Sequence, residues 1–190
     1  ELFAAYTSLV YLTPLFGGIL ADKLLGYRNA VVLGALLMAL GHGSLALEGI
    51  EQSFFYLGLG LLILGNGLFK PNISSIVGQL YSTNDDRRDS GFTIFYMSIN
   101  IGSMLGFAVC GGLGEKVGWQ WGFGAAGFGM LLGVIQFIYF RGQLGEAGLN
   151  PNPNSDEYKI RLRNISLGII VLVSLIVLSG LLGWWSVDAV

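Results

Sequence analysis

The sequence predicts an all-α protein that crosses a membrane several times, and three observations carry that prediction. The chain of 190 residues is 53% hydrophobic and only 12% charged, against roughly 25% charged in soluble domains. Its mean hydropathy is +0.66. The apolar residues gather into six long runs, each able to supply the roughly 17–25 residues that a membrane-crossing helix needs. None of the runs shows the strict alternation of an outer-membrane barrel strand.

The first run, Leu2–Ala21, contains Pro14, which has no N–H and leaves the Val10 carbonyl without its helical partner. A tight turn over Asp22–Asn29, eased by Gly17, Gly18 and Gly26, leads into the second run, Ala30–Leu47. The third, Phe54–Tyr81, holds Lys70 and Pro71 in adjacent positions. Pro71 frees the Gly67 carbonyl in the same way. A lysine at mid-membrane depth costs roughly 2.5–3.5 kcal/mol, so Lys70 needs a cavity or a partner. Phe92–Leu113 follows, with Gly102 and Gly106 at the spacing that lets helices approach closely in lipid. Cys110, the one cysteine, lies in that run and offers no disulfide framework. Trp119–Phe140 repeats the small-residue spacing at Gly129 and Gly133. A Pro/Asn-rich linker, Asn150–Ser155, and the charged segment Asp156–Arg163 then approach the last run, Ile165–Trp184.

Charge places the loops. With Asp22–Asn29 on the cytoplasmic side, alternation puts Lys23, Arg28, Arg87, Arg88, Arg141, Lys159, Arg161 and Arg163 on that same side. Lys116 falls outside with Glu48, Glu51 and Glu115, in keeping with the positive-inside rule. No basic groove with stacking platforms points to nucleic acid. No nucleophile–base set or dense metal-ligand cluster points to an enzyme, so no catalytic or metal-binding residue is assigned. Glu1 stands directly against an apolar run without an initiator methionine, and the chain reads as an internal piece of a larger transporter.

A polar layer follows from helical periodicity. Asn66, Lys70 and Ser74 fall on one face of the third run, Tyr96, Asn100 and Ser103 on one face of the fourth, and Thr7 and Tyr11 on the first. Counting about 1.5 Å per residue from the cytoplasmic ends sets Tyr11, Lys70 and Asn100 each about 15–16 Å deep. Such a layer suits a zwitterionic or anionic solute. Lys70 attracts a carboxylate, Asn100 donates and accepts, and tyrosine hydroxyls orient polar groups. The competing reading is internal hydrogen bonding that only glues the bundle. Asn66, Ser74 and Ser103 support the layer in either reading. His42 has no acid at helical spacing and reads as a packed or outward-lining histidine rather than a proton relay. Asp22, at the membrane edge, is a gate charge if its partner changes between conformations.

The motifs resemble a known family. Leu9–Pro14 and Gly17–Gly26 resemble the second-helix region of proton-dependent oligopeptide transporters, Phe69–Ile73 their fourth helix, and Phe92–Ser103 their fifth-helix signature. The resemblance implies a fragment of the major facilitator fold carrying its second to sixth helices and one extra inter-half helix. Residues 1–141 would form most of the N-terminal six-helix half, 142–163 a cytoplasmic linker, and 164–190 the additional transmembrane helix. It further implies proton-coupled symport of di- and tripeptides in the plasma membrane, a bacterial inner membrane, with no cofactor and with protons as the coupling ion. Tyr11, Lys70, Tyr96 and Asn100 would contact peptide. Asp22 and Arg28 would be gate charges, although Leu24–Leu25 and Tyr27 loosen the family's spacing there. The implied partners are peptide, proton, membrane lipid, the remaining N-terminal helix and the C-terminal half. Two other readings stand beside it: a facilitator for another small anion or amino-acid derivative, and a nontransport membrane interaction protein on the same scaffold.

Overall fold

The computed structural model describes residues 2–149 together with 160, 163, 164, 167 and 168. The expected linker Asn150–Ser155, most of the charged segment Asp156–Arg163 and the expected last span, Ile165–Trp184, lie outside the described residues, apart from those isolated positions.

Five helices among the described residues are long and apolar enough to cross a membrane. They match the first five apolar runs, with boundaries moved by local chemistry. α1 spans Leu2–Leu20 and winds on through a π turn, Ala21–Leu25. The turn closes with the Gly26 N–H donating to the Ala21 carbonyl at 2.9 Å. Gly26 alone then breaks the helix, at φ 73, a conformation that a Cβ disfavours. α2 begins at once and spans Tyr27–Ala46. The expected turn over 22–29 is therefore a single residue. Continued winding buries Ala21 and Leu25 against Ala30, Leu37, Leu61 and Leu68, which an open loop would have left in contact with polar surroundings.

α3 spans Ser53–Gln79 and runs unbroken through Pro71, as α1 runs through Pro14. α4 spans Arg87–Gly106 and continues through a π turn, Phe107–Gly111, into the short α5, Gly112–Lys116. α6 spans Trp119–Phe140, followed by a 3-10 turn, Arg141–Leu144.

The core is the seam between α2 and α3, with α1 and α6 on its flanks. A Cβ at Gly34 would lie 2.7 Å from the Gly65 carbonyl oxygen, and one at Gly41 would lie 3.0 Å from that of Gly58. Pairing numbers that rise on one helix as they fall on the other is the register of antiparallel neighbours. Small residues let the two backbones touch, the main source of helix association in lipid. The expected notches at Gly102, Gly106, Gly129 and Gly133 behave differently: a Cβ at any of them meets nothing within 4 Å among the described residues. Spacing marks where a helix can be approached, but the partner decides whether it is.

After α6 the chain folds back as a strap across the start of α2 and the end of α3. The Arg28 guanidinium donates from Nε to the Ala147 carbonyl at 2.7 Å and from Nη2 to that of Gly145 at 2.6 Å. The Arg28 N–H reaches the Gly148 carbonyl at 3.1 Å, and the Gly148 N–H donates to Gln79 Oε1 at 2.7 Å. Ala147 is buried with Val31 and Ile76. Gly148 has φ 77, and a Cβ there would also press on Ile76 and Arg28.

Candidate functional site

The α1–α3 seam is tied together by polar side chains. The two helices run parallel, and three side chains on them donate across to backbone carbonyls. Thr13 Oγ1 reaches the Ile63 carbonyl at 3.1 Å, sharing its proton with its own Leu9 carbonyl at 2.9 Å. Asn66 Nδ2 reaches the Val10 carbonyl at 3.1 Å, the one that Pro14 leaves free. Asn72 Nδ2 bonds the Leu68 carbonyl at 2.7 Å and the Gly17 carbonyl at 3.3 Å. The Gly67 carbonyl, freed by Pro71, lies hard against Gly17, where any Cβ would overlap it.

At the rim of this seam stand two of the four expected peptide contacts. Lys70 Nζ sits 5.4 Å from the centre of the Tyr11 ring, within the range of a cation–π contact. Both residues are exposed among the described residues, so Lys70 is neither sealed in an apolar core nor tied up by a carboxylate. The ring gives the ammonium a partner worth about 0.5–2 kcal/mol while leaving its donors free.

The other two expected contacts lie on α4, where no residue is buried. Asn100 turns its Nδ2 back to the Tyr96 carbonyl of its own helix at 2.9 Å. The Tyr96 ring packs on Phe92 and Phe95. No hydrogen bond or ring contact joins either residue to Tyr11 or Lys70 among the described residues. The start of α4 meets the end of α3, where Phe92 approaches Gly78 and the Tyr81 ring covers Gly91. The three-helix layer is thus drawn together on two helices.

The supporting positions divide similarly. Asn66 holds α1, as above. Ser74 Oγ bonds the Lys70 carbonyl at 3.2 Å, and Thr7 Oγ1 bonds the Phe3 carbonyl at 2.8 Å. Ser103 is exposed. Asp22 interacts with the Tyr27 side chain, and Arg28 is engaged by the strap carbonyls. His42 is half-buried beside Gly127 of α6, with its Nδ1 unpartnered. A mostly apolar groove of about 420 Å³, lined by Phe16, Leu20, Leu37, Leu64 and Leu68 together with Thr13 and Lys23, includes neither Lys70 nor Tyr11.

Sequence reasoning passed over Asn72 and Thr13. Asn72 is 1% exposed with its Oδ1 unpartnered. Its place was available in the periodicity, since Gly58, Leu61, Gly65, Leu68, Asn72 and Ile76 form the buried stripe of α3.

Comparison with known proteins decides the family. A model of the POT family, the proton-dependent oligopeptide transporters, matches residues 28–179. The chain belongs to the POT family. It is thereby an all-α, multi-pass membrane protein carrying part of a major facilitator-type fold, and a transporter-family member rather than an enzyme. It is 44% identical over 180 residues to the Uncharacterized transporter YclF of Bacillus subtilis (strain 168), covering 94% of this chain and 36% of that protein. It is 37% identical over 174 residues to Dipeptide and tripeptide permease A of Citrobacter koseri, covering 92% and 34%. A crystal structure of the peptide transporter POT, a single-substitution mutant in complex with alafosfalin, matches at TM-score 0.75 and 43% identity over 90% of this chain and 36% of that one. A POT family transporter in complex with 5-aminolevulinic acid matches at TM-score 0.74 and 37% identity, covering 97% and 38%. The chain therefore spans little more than a third of the length of these relatives.

Proposed function

We propose that the intact protein is a proton-coupled symporter of di- and tripeptides in a bacterial inner membrane, working by alternating access. Residues 1–141 supply most of its N-terminal half, 142–163 a cytoplasmic linker and 164–190 an additional helix. The observation that carries the reading is Lys70, a cation at membrane depth held over the Tyr11 ring with its donors unspent. A peptide carboxylate is the natural partner for it: the ammonium is compact and strongly hydrated, and a charge-assisted bond there is short and strong. Tyr96 and Asn100 on α4 contribute when α4 and α3 close on the peptide. Asn100 then exchanges its bond to the Tyr96 carbonyl for one to peptide. Coupling acids and the opposing wall of the cavity come from the first helix and the C-terminal half, because alternating access needs two opposed units. Asp22 and Arg28 act at the cytoplasmic gate, and each must release its present partner to do so.

A second reading has one specific observation behind it. A family member binds 5-aminolevulinic acid, an amine and a carboxylate without a peptide bond, so the same ammonium would suit a small amino-acid derivative. Proteoliposomes of the full-length protein separate the two. Dialanine accumulation under an inward proton gradient, lost in Lys70→Ala, supports peptide symport. Uptake of 5-aminolevulinic acid with no competition from dialanine supports the alternative. Gradient-driven uptake unchanged in Lys70→Ala rejects the role given to the lysine.

A further inference from the structure

α1 carries a proline in mid-span, and the carbonyl it orphans is the one that α3 serves. Val10 O has no N–H from residue 14, and Asn66 Nδ2 takes its place at 3.1 Å. In a bilayer such a group finds no water to satisfy it, so the bond fixes geometry as well as chemistry. Val10 is followed directly by Tyr11, and Asn66 lies one helical turn before Lys70. One hydrogen bond therefore satisfies the carbonyl next to Tyr11, which would otherwise turn away from α3 to find a donor, at the place where the Tyr11 ring comes 5.4 Å from Lys70 Nζ. Thr13, bonded to the Ile63 carbonyl at 3.1 Å, is a second tie between the two helices that does not depend on Asn66.

We propose that Asn66 is a positioning residue for the Tyr11–Lys70 pair, acting through the carbonyl that Pro14 leaves open. A general helix-gluing amide would add stability wherever it sat and would not depend on Pro14. A replacement donor would become redundant once the helix could supply its own. Pro14→Ala restores the N–H of residue 14 to Val10, and so makes the two roles separable. The functional part rests on the transport reading, whereas the geometric part does not.

The test uses the full-length protein with reductively dimethylated lysines, whose methyl NMR signals report a nearby ring current. The Lys70 signal is assigned by its loss in Lys70→Arg. The wild type should show an upfield-shifted signal that moves to the ordinary position in Tyr11→Leu and in Asn66→Ala, but stays shifted in the Pro14→Ala, Asn66→Ala double variant. In proteoliposomes, Asn66→Ala should raise the dialanine KM roughly fivefold with the maximal rate little changed, and the double variant should recover. If Asn66→Ala does not fold, Asn66→Leu replaces it. Folding of either only in the Pro14→Ala background supports the proposal, and failure in both backgrounds overturns it. A Lys70 signal indifferent to Asn66, or an equal loss with and without Pro14, also overturns it. A wild type that shows the ring-current shift and its Asn66 dependence but takes up no dialanine would reject the transport reading and leave the positioning role standing.

Discussion

Gly34 and Gly65 stand backbone to backbone across the α2–α3 seam, each occupying the space that the other's side chain would need. A Cβ on Gly34 would lie 2.7 Å from the Gly65 carbonyl oxygen, and one on Gly65 would lie 2.7 Å from that of Gly34. Gly43, on the same helix, has nothing within 4 Å of its Cβ position. The two sites therefore predict opposite responses to one added methyl group. Gly34→Ala should destabilise the full-length protein by about 1–3 kcal/mol, because two backbones must separate. Gly43→Ala should be neutral or add about 0.5–1 kcal/mol, since alanine favours a helix over glycine. Thermal denaturation in detergent compares them directly, and an equal fall for both would remove the seam's special status.

The Tyr11 ring, rather than its hydroxyl, faces the Lys70 ammonium. Tyr11→Phe keeps the ring and should leave peptide affinity near the wild type. Tyr11→Leu loses the contact and should raise KM roughly 2- to 30-fold, the span that a cation–π contact of about 0.5–2 kcal/mol allows. Uptake kinetics for the two variants, measured side by side, decide whether ring or hydroxyl matters.

The strap makes a prediction about exchange. The Gly148 N–H is bonded to Gln79 and the Arg28 N–H to Gly148, so both amides should exchange slowly with solvent. Arg28→Ala removes the donors to the Gly145 and Ala147 carbonyls and should speed exchange at both. Arg28→Lys should not restore protection, because a single ammonium cannot reproduce the guanidinium fork. Hydrogen–deuterium exchange resolved to peptides over 20–35 and 141–149 reads this out.

At the start of α4, Arg87 holds the Asp85 carboxyl below the usual carboxylate range. The side-chain bonds from Arg87, 3.0 Å from Nε and 2.8 Å from Nη2, are the larger cause. The Arg87 N–H at 2.9 Å adds to them. A depressed pKa means stability that is present above the unfolded value and lost as pH falls through the folded one. Arg87→Gln should therefore raise the Asp85 pKa only part of the way to its ordinary value, since the backbone donor remains. A carboxyl-carbon NMR titration of Asp85 would show this, and a full return to the ordinary value would assign the whole effect to the guanidinium.

Much of the architecture could be read from hydropathy because burial in lipid asks for length and little else. Leu2–Ala21, Ala30–Leu47 and Phe54–Tyr81 differ from α1, α2 and α3 by only a few residues at each end. The miss at the 22–29 turn came from treating Asp22 and Lys23 as loop-forming. A π turn carries both charges outward while Ala21 and Leu25 stay buried. Within the site, four-residue spacing found the face bearing Asn66 and Lys70, and the mid-depth count brought Tyr11 level with Lys70. Periodicity within one helix cannot say what the next helix presents. Asn66 was visible as a polar residue, yet its partner is a bare carbonyl whose position depends on how α1 and α3 are set against each other. For the same reason the Gly102 and Gly106 spacing promised a contact that the described residues do not make, while Asn72 hid within an apolar stripe.

The hold that Arg28 and Gln79 keep on residues 145–148 has a mechanical consequence. Tension applied to the chain beyond Leu149 is delivered to the ends of α2 and α3, not to the last turn of α6. Residues 145–148 are therefore moored to the most closely packed pair among the described helices, and a pull on that mooring acts as a lever on the pair that carries Lys70.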